Sequence, residues 1–296
     1  MNVGRRDVRP AYQIGSVLAL AAILAVTTII LAHVLGDQAH AHAGADDPAA
    51  KVYRAAMLWA VSFVLFVVAS AWNMMVALRV LYRFATPKGL VPVAILVAVS
   101  VPLSAFTTDL LGGKNVQTPV ETLGIRNVTI VGDAVVAEVT CLLVASVCAL
   151  TYRRTKRLTP RQLRERVACL RLSLLSAAVL LVIGVAEIYF LHDWPAYKAL
   201  DHHNSYHSMA ITAATVAGAL YSACLLALYA PAIVIYEAWI SQAAEYAMAK
   251  SPAVDFKKWR EENHLTQSPA AMLLQLAAVA GPALTGLGIP KLLVGL

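Results

Sequence analysis

Six apolar blocks recur along the chain, at 14–35, 55–82, 90–111, 128–152, 168–191 and 209–236, and nothing else in the sequence constrains its fold as much. A hydrocarbon layer about 30 Å thick asks for roughly 20 apolar residues from each helix that crosses it. Composition agrees: 59% of the residues are hydrophobic and 14% are charged. Soluble domains carry about 25% charged residues, and mean hydropathy here is +0.68. The sequence predicts an all-α, polytopic transmembrane helical bundle of six spans.

A last apolar stretch, 272–296, is broken by Gly281, Pro282, Gly286, Gly288 and Pro290. Each proline removes a backbone donor that lipid cannot replace. This segment is therefore expected to be an interfacial or re-entrant helix pair, with a seventh span as the alternative. The apolar run at 14–35 follows "RRDVR" and precedes "AHAHA", but it exceeds a signal peptide's core of roughly 7–15 residues. It is read as a retained span.

Lys and Arg sort to alternate connections, the bias that sets orientation in inner membranes. One side collects Arg5, Arg6 and Arg9, then Arg79, Arg83 and Lys88, then "RRTKRLTPRQLRER" at 153–166, then Lys250, Lys257, Lys258 and Arg260. The other holds Lys51, Arg54, Lys114, Arg126 and Lys198. With six spans this gives a bacterial-type inner (plasma) membrane protein with both termini cytoplasmic. Residues 1–13 form the cytoplasmic N-terminus, 14–236 the transmembrane domain, and 237–296 a cytoplasmic and interfacial tail. The net charge of +7 is mostly this topology signal. The expected partners are the lipid bilayer and further copies of the chain, with no nucleic acid. A cytoplasmic ligand or protein at 153–166 and the tail is a further option.

The tail carries "DFKKWREEN", in which Phe256 and Trp259 stand three apart. It reads as a short amphipathic helix that either lies on the membrane surface or packs on the bundle. Ser268 followed by Pro269 reads as a helix start. Cys141, Cys148, Cys169 and Cys224 show no CxxC spacing and read as small buried apolar residues.

Ionisable residues inside spans are functional candidates, because a charge at mid-bilayer costs about 2.5–3.5 kcal/mol on insertion scales. Asp109, Asp133, Glu138 and Glu187 fall in the outer half of the predicted spans, with Glu138 deepest. Asn73, deep in the second block, is a polar partner of the same kind or helix-to-helix glue. Together Glu138, Asp133, Glu187, Asp109 and Asn73 form a candidate ion pathway.

The stretch "DHHNSYHSM" raises a second candidate. If Asp201 caps a helix, His203 and His207 stand one turn apart on one face, a spacing that lets two imidazoles meet one metal. His202 and Asp201 from the turn and His192 from across the loop complete a possible divalent-metal set. His40 and His42, followed by Asp46 and Asp47, lie on the same expected side. No P-loop, GxGxxG, GxSxG or HExxH pattern is present, which speaks against an enzyme. The leading expectation is a cation-conducting channel or carrier, oligomeric and regulated by its tail. The alternatives are an outer-surface His/Asp metal or metal-dependent enzymatic site, and a non-catalytic assembly subunit or signal-regulated effector.

Overall fold

The computed structural model describes residues 48–85, 126–152, 158–198, 203–250, 255–266 and 269–293. The expected spans 14–35 and 90–111 lie outside the described residues, as do Asp109, Asp201 and His202. Among the described residues every element is a helix and there is no strand. In order these are α1 (Pro48–Phe84), α2 (Arg126–Thr151), α3 (Pro160–Lys198), α4 (His203–Lys250), α5 (Phe256–Glu262) and α6 (Pro269–Leu293). Four carry segments long and apolar enough to cross a membrane: Arg54–Phe84, Pro160–Trp194, Tyr206–Ala249 and Ala270–Gly288. In α2 the apolar stretch is Val139–Thr151.

The helices outrun the apolar blocks where local chemistry lets them. In α3 the start is set by Thr159, whose hydroxyl accepts from the Gln162 amide N–H at 3.3 Å while Gln162 Oε1 accepts from the Thr159 N–H at 3.0 Å. This reciprocal capping box satisfies two N-terminal donors, and Pro160 at the first helical position lacks one anyway. At its far end α4 continues past the apolar block to Lys250.

α3 is the central helix, in contact with α1, α4 and α6, while α2 packs on α1. The core joins Val80 of α1, Val147 of α2, Leu174 of α3 and Leu225 of α4. Large apolar side chains also face outward on every long helix, among them Leu65, Trp72, Leu220, Val234, Leu273 and Leu284. Such a surface is unfavourable in water and suited to lipid tails. Cys148 and Cys224 face outward too, against the expectation that the cysteines are buried.

The largest departure from the sequence reading is α6. It is one continuous helix through Gly281, Pro282, Gly286, Gly288 and Pro290, not a broken pair. It runs antiparallel to α4 at backbone contact: a Cβ on Gly218 would stand 2.4 Å from the Pro282 carbonyl oxygen, and one on Gly286 would stand 2.5 Å from that of Ala214. The glycines are thus where two backbones meet, the small-residue packing typical of membrane helices. The backbone groups near the prolines find partners on α4. Pro290 has no N–H for the Gly286 carbonyl, and Thr215 Oγ1 donates to that oxygen at 3.2 Å. Next to Pro282, the Ala283 N–H donates to Ser222 Oγ at 3.1 Å.

α5 closes the other end of α4. Its N-cap is Asp255, which accepts from the Lys258 N–H at 3.4 Å. Its C-terminus is turned by His264, at φ 54° the one positive-φ non-glycine among the described residues. Leu265 N–H reaches Arg260 O at 2.9 Å and His264 N–H reaches Glu261 O at 3.0 Å, the double bond of a Schellman cap. Trp259 is buried against Leu163, Ile240, Ala244 and Leu265. The aromatic face of this helix therefore packs on the bundle, the second of the two options that its sequence left open.

Candidate functional site

Three polar features are stacked along the helix axes. At one end, Trp59 Nε1 of α1 donates to Glu187 Oε1 of α3 at 3.1 Å. Trp59 also stacks on Trp194 with ring centroids 5.2 Å apart. A turn beyond, the buried carboxylate of Asp193 meets His207 Nδ1 of α4 at 2.7 Å. The His207 ring stands edge-on to Tyr189 at 6.4 Å. Aromatic rings with polar edges are at home at the headgroup level of a bilayer.

Midway along the bundle lies a buried hydrogen-bonded line. Asn73 Nδ2 of α1 donates to Ser176 Oγ of α3 at 3.4 Å, and Ser176 Oγ donates to Ser173 O at 3.0 Å. Ser173 Oγ is 2.9 Å from the Tyr229 hydroxyl of α4. All four residues are almost fully buried, Asn73 at 1% exposure. Asn73 Oδ1 and Ser70 Oγ, one turn apart on α1, are buried with no hydrogen-bond partner among the described residues. Orphaned polar atoms in a low-dielectric interior cost about 1–3 kcal/mol each, so they call for a reason.

The opposite end is cationic. Arg166 is buried at 7% exposure, and its guanidinium donates to the Leu150 carbonyl and, at 3.0 Å, to that of Tyr152. It caps the C-terminus of α2, where carbonyls lack intrahelical donors and the dipole favours a cation. Tyr236 OH donates to the same Leu150 carbonyl at 2.9 Å. Arg166 also lies over the rings of Phe84 at 5.0 Å and Trp239 at 5.9 Å. Nearby, Arg83 pairs with Glu165 at 2.9 Å across α1 and α3. Of the basic connection 153–166, residue Arg166 therefore serves the bundle itself, not an external ligand.

The residues singled out from sequence divide accordingly. Glu187 and Asn73 both stand on the α1–α3 interface, bonded to Trp59 and Ser176. Glu138 and Asp133 lie on α2, their side chains outside the described residues, and Asp109 lies outside altogether. Glu138 precedes Val139, which packs with Phe66, Ala69 and Leu180. That puts its backbone at a depth between Ser176 and Glu187. Of the metal set, His202 and Asp201 are outside the described residues, and only the backbone of His203 is described, as the first residue of α4. His192 Nδ1 bonds its own helix at Ile188 O, 2.8 Å away, and does not meet His207. Among the described residues no three His, Cys, Asp or Glu side chains come together as metal ligands would. Sequence reasoning missed Ser70, Ser173, Ser176 and Tyr229, because a lone Ser or Tyr in an apolar run carries no signal of which helix face it takes.

Comparison with protein-family models, curated proteins and solved structures finds no match for this chain.

Proposed function

We propose that the bundle provides a cation pathway along the α1–α3 interface. The observation that carries it is the buried line of oxygens at Ser70, Asn73, Ser176, Ser173 and Tyr229, with Asn73 Oδ1 and Ser70 Oγ unpartnered. Glu187 lies about 16 Å further along α3, at 1.5 Å per residue, and Asp193 beyond it. Carboxylates at the mouth attract cations, and neutral oxygens inside replace water of hydration. Glu138 and Asp133 belong to the same proposal, as carboxylates on the neighbouring helix α2 at the Glu187 end.

The topology proposed with this function has seven spans: 14–35, α1, 90–111, α2, α3, α4 and α6. The Lys/Arg bias then puts the N-terminus and α5 in the cytoplasm and the C-terminus outside. The pathway lies within one protomer, so a homo-oligomer is compatible with it but not required by it.

The test is flux of Na+ or K+ into vesicles reconstituted with the purified protein. Asn73→Leu and Glu187→Gln are expected to lower flux at least tenfold while insertion and thermal unfolding stay close to wild type. Equal flux in wild type and both variants, or none above empty vesicles, overturns the reading.

A further inference from the structure

A cavity of about 710 Å³ opens at the Arg166 end, between α4, α5 and α6. It falls in the size range of specific ligand sites, roughly 300–1,000 Å³. Its walls change character with depth. Toward the middle of the bundle they are apolar, with Leu226, Ile233, Leu276 and Val279; toward α5 they are polar, with Lys257 and Arg260. The boundary between the two falls near Glu237 of α4 and Gln275 of α6. An occupant matched to it is apolar at one end and anionic at the other.

The charges support this. Arg260 is held in place by Glu237, with its two terminal nitrogens each 3.1 Å from one carboxylate oxygen. That pair is neutral, yet Arg260 Nε is buried without a hydrogen-bond partner. Arg171 lines an adjoining hollow that shares Ile233, Glu237 and Gln275 with the large cavity. Its Nε is also buried and unpartnered, and no ion pair to Arg171 is found among the described residues. A cation placed in an apolar span without a counter-charge costs several kcal/mol. With Lys257 at the rim, the site has two more positive charges than Glu237 offsets.

We propose that this cavity binds an anionic phospholipid of the leaflet at the Arg-rich end. One acyl chain lies between α4 and α6, and the phosphate meets Lys257 and Arg260 at the polar edge, with Arg171 in the adjoining hollow. The lipid then fastens α5 and α6 to α4 on one side of the bundle. No step of the cation pathway is needed for this binding, so either proposal stands or falls alone.

Native mass spectrometry of the detergent-purified protein tests it, with phosphatidylglycerol and phosphatidylcholine of equal chain length added together. Phosphatidylglycerol is expected to be retained in preference. Lys257→Gln, at an exposed side chain, should lower its retention roughly fivefold, since one basic residue near a charged lipid surface contributes about 1 kcal/mol, and should leave phosphatidylcholine unchanged. Leu276→Trp, which fills the cavity from an outward-facing position, should suppress both lipids. Millimolar inorganic phosphate should displace neither. Equal retention of the two lipids, no effect of the two substitutions, or displacement by phosphate alone overturns the proposal.

Discussion

Thr215 donates its hydroxyl to the Gly286 carbonyl, the oxygen that Pro290 leaves without its helical donor. The bond links α4 to α6 where a Cβ on Gly286 would stand 2.5 Å from Ala214 O. Thr215→Val keeps the shape of the side chain and removes the donor, so it should cost about 1 kcal/mol. Gly286→Ala and Gly218→Ala push carbon into backbone and should cost about 1–3 kcal/mol. Gly288, with nothing within 4 Å of its would-be Cβ, is the control. Gly288→Ala should be neutral or gain up to about 1 kcal/mol from helix propensity. Thermal unfolding in detergent orders the four variants. A Gly286→Ala protein as stable as the Gly288→Ala one contradicts the close approach.

The same helix shows where sequence reading stops. The four apolar blocks that fall within the described residues returned as helices α1 to α4, three of them long and apolar enough to span lipid, where a chain has few other choices. In α6 the glycines and prolines read as breaks, since their compensation is not local. Thr215 is 71 positions from Gly286, and Ser222 is 61 from Ala283. Asn73 was visible as a candidate because an amide deep in an apolar run is conspicuous. Its partner Ser176, 103 positions away, was not. Seryl and tyrosyl hydroxyls become a line only once three helices fix which faces meet.

Arg166 and Tyr236 both donate to the Leu150 carbonyl, from α3 and α4. Losing one donor leaves the other in place; losing both orphans the end of α2. Tyr236→Phe should cost about 1 kcal/mol and Arg166→Met about 2–3 kcal/mol. The double variant should lose at least about 0.5 kcal/mol beyond their sum. Chemical denaturation of the three proteins measures the coupling, and strict additivity would show that the two donors act independently.

His264 holds the left-handed position of the α5 cap at φ 54°. An L side chain there costs roughly 1–2 kcal/mol relative to the right-handed region, and glycine does not. His264→Gly should therefore raise the unfolding temperature, offset in part by glycine's greater freedom in the unfolded chain. The same substitution at the right-handed neighbour Asn263, which also donates to Trp259 O at 2.8 Å, should lower it. Opposite signs at adjacent positions isolate backbone geometry from the loss of a side chain.

The antiparallel register of α6 on α4 has a consequence for topology. Gln275 lines the cavity with Glu237, while Gly286 lies against Ala214, so the C-terminal end of α6 approaches the His207 end of the bundle. A chain with α6 as a full span has its last residues and its α5 segment on opposite faces of the membrane; an interfacial or re-entrant tail keeps them together. A compartment-sensitive reporter fused after Leu296 and the same reporter inserted beside His264 separate the two cases. The fused reporter should be active only on the face that carries His207, and the inserted one only on the other. The four native cysteines lie on α2, α3 and α4, so an added Cys next to Leu296 gives a chemical check with a membrane-impermeant thiol reagent. Both reporters active on the same face would return α6 to the surface and remove the seventh span.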